Sequence, residues 1–305
     1  MNSAAFIAGD WGTTNLRLWL CDPQGAVLDQ KSGAGVAQCV GADWPSLLAQ
    51  LTASWAAHGP LPVYLCGMIG SNIGWMPVPY VPCPVVMSSL ILHTRSPQAD
   101  VWIVPGIRCT NRNDAPDVMR GEETQILGAL QSLPTLQAGR QLLCLPGTHT
   151  KWVLMEQGCI KHFVTAVSGE LFSIIQQHSV LIRSEAAVSA SEPAFNQALL
   201  QAKQHAGSLQ QWMFECRSRA LLDVPPLSNA PAYLSGLLIG DDVNHIVGSF
   251  AAALPPVTIV GTANLCSLYA AALNLHNVET RQMDGSLVSQ AGLAAIHRHH
   301  RNSIS

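Results

Sequence analysis

The sequence predicts an α/β chain of two related domains, and three observations carry that prediction. Length and composition come first: 305 residues, 48% hydrophobic and only 11% charged, suit two domains of roughly 100–200 residues, each burying its own core. Second, an apolar run over residues 4–8 leads into Asp10, Trp11, Gly12, Thr13 and Thr14. An alternating segment follows, with Leu16, Leu18 and Leu20 on one face and Arg17 and Trp19 on the other, the pattern of strand, tight polar turn, strand. Third, the pattern returns. Residues 142–145 read as a strand, the stretch from Pro146 to Trp152 as a turn rich in Gly and Thr, 153–155 as a returning strand, and 160–164 as a third strand after Gly158.

Composition excludes several classes of function. Net charge is −3, and the 16 basic residues form no run, which argues against a nucleic-acid or membrane-surface partner. The N-terminus lacks a basic leader region, and no apolar stretch reaches the ~18 residues of a membrane span. The nine cysteines are odd in number, scattered and without a C-x-x-C pair, so they are expected to be reduced thiols of a cytoplasmic protein rather than a disulfide framework or zinc site.

The remaining elements follow in order. A turn at residues 22–25 leads into a short third strand over 26–30. Asp43 is expected to cap a helix with Pro45 in its first turn and Leu47, Leu48, Leu51 and Trp55 on its buried face. Residues 63–66 form a short buried strand that runs into a glycine-rich loop over 67–75. The four prolines of 76–84 make a stiff extended connection. The segment 117–125 opens a helix whose apolar face is Ile126, Leu127 and Leu130. Ser168 caps another helix, and 185–230 reads as two more with a capped start at Ser191. A helical stretch over 232–250 contains Asp241 and Asp242, a pair expected to be solvated. A strand at 257–260, a helix over 265–273, a strand over 277–282 and a helix over 286–296 close the chain. The tail from His297 to His300 is expected to fray.

Four stretches carry chemistry. In the first turn, Gly12 lets backbone amides approach an anion, the Thr13 and Thr14 hydroxyls can donate to phosphate, and Asp10 at the strand end can hold a hydrated magnesium ion. In the second, Gly147 and Thr148 repeat the anion turn with Lys151 as a nearby cation. His149 reads as a hydrogen-bonded structural residue rather than a base. Gly261, Thr262, Ala263 and Asn264, between a strand and a helix start, form a further anion or nucleotide cradle. Ser71, Asn72 and Trp75 line a loop past a strand end, where open α/β sheets place ligands. Glu122 and Glu123 suit a helix dipole on their own, but Arg120 and Gly121 just before them are what an anion-binding helix start needs.

In this order, Asp10-x-Gly12-Thr13-Thr14, Gly147-Thr148-His149-Thr150 and Gly261-Thr262-Ala263-Asn264 resemble the two phosphate motifs and the adenosine motif of the superfamily of acetate and sugar kinases, heat-shock ATPases and actin. The stretches D-W-G-T-T-N-L-R-L-W, C-G-M-I-G-S-N-I-G-W, D-V-M-R-G-E-E-T-Q, L-P-G-T-H-T-K-W and G-T-A-N-L-C-S-L-Y together resemble the 2-dehydro-3-deoxygalactonokinase family over essentially the whole chain. The resemblance implies two actin-like (ribonuclease H-like) domains facing a nucleotide-binding cleft. Residues 1–136 with 285–305 would form the N-terminal domain, with the first phosphate turn and a sugar-acid pocket, and 137–284 the C-terminal domain, with the second turn and the adenosine site.

It also implies an ATP- and Mg2+-dependent kinase that phosphorylates the 6-hydroxyl of 2-dehydro-3-deoxy-D-galactonate in galactonate breakdown. Gly12, Thr13, Thr14, Gly147, Thr148, His149, Lys151, Gly261, Thr262 and Asn264 would hold the nucleotide, and Asp10 the metal. Arg17, Ser71, Asn72, Trp75 and Arg120 would hold the acceptor, with Arg120 clamping its carboxylate. The base is expected to be Glu123, with Glu122 or Asp117 as alternatives, since many sugar kinases of the superfamily carry a single Asp where this chain has two glutamates. A homodimer is compatible with the sequence. The competing readings are a kinase of another sugar or sugar acid, a non-catalytic nucleotide-binding regulator, and more distantly a dehydrogenase, for which no G-x-G-x-x-G follows the first strand.

Overall fold

The computed structural model describes residues 3–204, 207–222, 228–250 and 254–304. The chain divides into two compact units, one of Met1–Arg140, Leu154–Phe163 and Gly285–Ser305, the other of Gln141–Val153 and Val164–Asp284.

In the first unit β1 (Phe6–Trp11), β2 (Asn15–Cys21) and β3 (Val27–Ala34) form an antiparallel meander. Leu16, Leu18 and Leu20 are buried as their alternation requires, but Trp19 on the other face is buried too, because helices cover this sheet on that side as well. β3 runs four residues beyond the expected end. Its residues are mostly exposed and carry no apolar alternation, so the backbone ladder to β2 holds it, not side-chain burial. α1 (Trp44–Thr52) begins after Asp43 with Pro45 in its first turn, although the Asp43 carboxylate accepts from the Ser46 hydroxyl instead of capping an amide. Trp55 sits in a following 3-10 turn and donates to Asp29 Oδ2 at 2.7 Å, which ties this segment to β3.

β4 (Val63–Cys66) pairs parallel to β1, with Cys66 opposite Asp10. Then come β5 (Val81–Pro82), β6 (Val85–Val86), α2 (Met87–Ile91), β7 (Arg95–Gln98) and β8 (Val101–Ile103), giving a sheet of order β3-β2-β1-β4-β8-β7. β9 (Ile107–Thr110) and β10 (Pro116–Met119) are antiparallel, with Asp117 opposite Cys109, and α3 (Glu122–Ser132) follows. The helix expected from residue 117 therefore starts five residues later: Asp117 lies in a strand because β9 offers it a ladder, and Gly121, at φ 114°, breaks the chain into the helix.

In the second unit the parts of β11 (Arg140–Leu145), β12 (Thr150–Glu156) and β13 (Cys159–Ala166) that belong to it are joined by α4 (Ser168–His178), α5 (Pro193–Gln204), α6 (Leu209–Met213), α7 (Glu215–Leu222), α8 (Ala230–Gly248), β14 (Val257–Gly261), α9 (Ala263–Asn274) and β15 (Thr280–Asp284). The strand order is β13-β12-β11-β14-β15, with β11, β14 and β15 parallel. A meander followed by two parallel strands is the order β3-β2-β1-β4-β8 of the first unit, so the repeat read in the sequence is a repeat of topology. Its core gathers Trp152, Phe195, Tyr233, Leu237 and Ile259.

Three helices, not two, lie among the described residues of the span before α8. The cap falls at Ser208, whose hydroxyl and Gln211 form a reciprocal capping box on α6, and not at Ser191. At Ser168 the expected cap is one residue out: Ser168 is the first residue of α4.

The last helix, α10 (Gly285–Ile304), packs on α3 and extends well past residue 296. The tail does not fray. His297 is 2% exposed and stacks on Phe6 with ring centroids 4.2 Å apart, and His300 meets the Trp102 ring at 4.7 Å. Burial, reinforced by Arg301 and Arg298, pushes the His297 pKa down to about 4, so this histidine packs as a neutral aromatic ring. A run of His and Arg looks polar in sequence, which is why the docking is invisible there. The nine cysteines stand in the structure as thiols, not in disulfides. No helix among the described residues is long and apolar enough to cross a membrane.

Candidate active site

The first unit places two acids around one thiol. Asp10, near the end of β1, faces Cys66 in the parallel register and Arg17 in the antiparallel one. Burial raises the Asp10 pKa, while the Arg17 charge and a hydrogen bond from the Cys66 thiol oppose the rise. The turn after β4 needs glycine: at Gly67, with φ 88°, a Cβ would lie 2.8 Å from the Trp11 carbonyl oxygen and 3.3 Å from Asp10 Oδ1.

Glu123 is fully buried at the start of α3. Its Oε2 accepts the Gly121 amide at 2.7 Å and its Oε1 the Thr124 hydroxyl at 3.1 Å. Burial first, and then the Glu122 charge, lift its pKa to about 8. Cys66 stands within the field of both Asp10 and Glu123 and hydrogen-bonds Thr124, so the two acids, the thiol and the threonine form one cluster.

The other candidate acids are placed differently. Glu122 is half-buried and its Oε2 accepts the Arg120 amide at 3.0 Å. Asp117 Oδ1 accepts the amide of its neighbour Val118 at 2.8 Å, on β10. Arg120 lies over the Tyr80 ring at 4.3 Å and donates from Nη2 to the Val78 carbonyl at 2.8 Å. Its Nε and Nη1 are buried without a partner, and Nη1 lies against Gly70 of the glycine-rich loop.

In that loop Ser71 is buried with its hydroxyl on the Met68 carbonyl at 2.7 Å. Asn72 is exposed, and Trp75 packs on the core. Thr13 and Thr14 are exposed at the tip of the first turn, whose backbone is pinned by Gly35 N to Thr14 O and Ala37 N to Thr13 O, at 3.0 and 3.1 Å.

In the second unit the second turn is seated on α4. A Cβ at Gly169 would fall 2.1 Å from the Gly147 carbonyl oxygen, the Glu170 amide donates to Thr148 O at 2.8 Å, and His149 Nε2 meets Glu170 Oε2 at 2.8 Å. The turn is shorter than expected. Thr150 and Lys151 belong to β12 and are buried, with Lys151 Nζ donating to Thr165 Oγ1 at 2.8 Å.

Thr262 caps α9 through a 3.4 Å bond from the Leu265 amide. Beside it is a cavity partly open to solvent. Gly147, Thr150, Ser168, Ser235, Asn264 and Tyr269 line it together with Phe172, Val188 and Leu238.

Asp242, expected to be solvated, is instead engaged from behind this cavity. It accepts Trp152 Nε1 and the Tyr269 hydroxyl, both at 3.0 Å, and burial raises its pKa to about 6. Asp241 keeps partial exposure and pairs with His245 at 3.6 Å. Sequence reasoning missed Cys66, Thr124, Gly169, Tyr269 and Asp242 as parts of a site. Only the Asp-Asp pair gave a signal, and burial statistics pointed the wrong way.

The model of the family described as 2-keto-3-deoxy-galactonokinase matches residues 10–296. The 2-dehydro-3-deoxygalactonokinase of Escherichia coli (strain K12) is 34% identical over 294 residues, spanning 96% of this chain and 98% of that protein. The crystal structure of a Sinorhizobium meliloti protein assigned the same kinase name superposes with a TM-score of 0.89 at 33% identity, over 97% of this chain and 99% of that one. The activator of 2-hydroxyisocaproyl-CoA dehydratase from Clostridium difficile, at 12% identity and TM-score 0.53 over 98% and 96% of the two chains, shares the fold. The family match takes in Asp10, Glu123 and each of the turns described above: the chain is a carbohydrate kinase and belongs to the 2-keto-3-deoxy-galactonokinase family.

Proposed function

We propose that this chain transfers the γ-phosphoryl group of ATP to the 6-hydroxyl of 2-dehydro-3-deoxy-D-galactonate, giving the 6-phosphate and ADP. The observation that carries the reading is a buried carboxyl with a pKa near 8, Glu123, three residues from an arginine with two buried, unpartnered nitrogens. Phosphoryl transfer asks little covalent chemistry of the protein; it asks for positioning and charge. Glu123 accepts the proton of the 6-hydroxyl as its oxygen attacks the γ-phosphorus and the bond to the bridging oxygen breaks. Arg120 offers Nε and Nη1 to the carboxylate of the acceptor as a fork, while Arg17, Ser71, Asn72 and Trp75 complete the acceptor site within residues 1–136 and 285–305.

The adenosine lies in the cavity beside Gly261, Thr262 and Asn264. Gly12, Thr13 and Thr14 make the phosphate-binding turn of the first unit, and Gly147, Thr148 and His149 that of the second. Lys151, tied to Thr165, contributes its charge to the second turn rather than a direct contact. Among the described residues no three His, Cys, Asp or Glu side chains cluster as a metal cage. Magnesium bound to a nucleotide keeps several waters and needs only one or two carboxylates, so the half-buried carboxylate of Asp10 fits it. Asp10 would hold the ion, whose contribution would be to offset negative charge on the phosphate oxygens.

Glu123→Gln is expected to cut turnover by about a hundredfold or more with ADP binding intact, whereas Glu122→Gln leaves most of it. The opposite ranking, measured as kcat and nucleotide Kd on both variants, would transfer the role to Glu122.

A further inference from the structure

Thr150, Ser168 and Tyr269 form a hydrogen-bonded patch in the lining of the second unit's cavity, and Asp242 sets its hydrogen positions. Asp242 accepts the Trp152 Nε1 hydrogen at Oδ1 and the Tyr269 hydroxyl hydrogen at Oδ2, each at 3.0 Å. A phenol has one hydrogen, and a carboxylate takes it in preference to a neutral hydroxyl. The Thr150 hydroxyl stands 2.8 Å from the same phenol oxygen, and Ser168 also hydrogen-bonds it. With the phenol hydrogen committed to Asp242, Thr150 and Ser168 must each donate to Tyr269. Each of those hydroxyls also has a single hydrogen, so what both turn towards the cavity they line is lone pairs.

We propose that Asp242 and Tyr269 are positioning residues that make this wall an acceptor surface, and that the cavity selects nucleotides carrying an N–H or O–H donor there. The inference rests on the reading of this cavity as the nucleoside pocket. Two groups of an adenosine nucleotide supply such a donor, the exocyclic amine of the base and a ribose hydroxyl. An oxo group in place of the amine, or a missing hydroxyl, would leave the buried acceptors facing a lone pair or nothing. Neither hydroxyl can turn to meet it without breaking the chain to Asp242.

The test is calorimetric titration of the full chain with ADP, IDP, 2′-deoxy-ADP and 3′-deoxy-ADP, in the wild type and in Tyr269→Phe. The wild type is expected to bind at least one analogue about tenfold or more weakly than ADP: IDP if the amine is read, a deoxy nucleotide if the ribose is. Tyr269→Phe removes the phenol oxygen, frees both hydroxyls to rotate, and is expected to shrink that ratio to about threefold or less. If that variant does not fold, Asp242→Asn, whose side-chain amide can donate to the phenol, is expected to shrink the ratio in the same way. Equal binding of all four ligands by the wild type would overturn the inference alone, as would a ratio unchanged in the variants. Failure of every nucleotide to bind would overturn the pocket reading as well.

Discussion

Glu123 and Arg120 set the predictions that belong to single residues. A base must be ionised, and burial holds Glu123 up near 8, so kcat/KM is expected to rise with pH through about 8 and level above it. The same shift acts on stability. A carboxyl whose folded pKa lies above its ordinary value of 4.5 contributes stability that is fully present below about 4.5 and is lost as pH rises through about 8. The ligand-free wild type should therefore melt progressively lower than Glu123→Gln between pH 6 and 9, and differ little from it at pH 4.5. A constant gap across that range would show that the carboxyl is not buried in solution. Arg120→Ala is expected to raise KM for the sugar acid at least about tenfold while changing KM for ATP little, because the unpartnered nitrogens point to an acceptor carboxylate. Asp117 shows why the choice of base was open in sequence. Three acids within seven residues look alike on paper, and only the strand β10 and full burial separate them.

Elements show where periodicity informs and where it misleads. Seating of the second turn on α4 depends on one close approach. Gly169→Ala puts a Cβ where only 2.1 Å separates it from the Gly147 carbonyl oxygen, so the turn must move off the helix. The expected result is about tenfold weaker ADP binding with the acceptor KM nearly unchanged; unaltered ADP binding would mean that the turn does not touch the nucleotide. At the other end of the chain, His297→Ala removes a ring stacked on Phe6 and is expected to cost about 1–3 kcal/mol, read as a lower urea midpoint. No change would restore the frayed tail. β3 and the last turns of α10 were illegible for one reason: backbone pairing holds the first, and aromatic packing of histidines the second, and neither leaves an apolar repeat.

For the molecule as a whole, what could be read was the repeat. The Gly-Thr turns after residues 8 and 145 announced two copies of one arrangement, and both copies have the strand order of meander plus two parallel strands. The phosphate turns were legible because their chemistry is local, a glycine and hydroxyls within four residues. The clusters behind them were not, because Cys66 meets Glu123, and Asp242 meets Trp152 and Tyr269, across 27 to 90 residues of chain that only folding brings together. If these parts serve transfer to an acidic sugar, the acceptor must control turnover, and that dependence can be measured. It is tested most directly by measuring ADP release with ATP and magnesium against 2-dehydro-3-deoxy-D-galactonate, its gluconate-derived epimer and neutral hexoses, with the product's phosphate position read by phosphorus NMR. ADP release is expected to depend on the galactonate-derived acid, with the phosphate on its 6-oxygen. Release independent of acceptor, or faster with a neutral sugar, would contradict it.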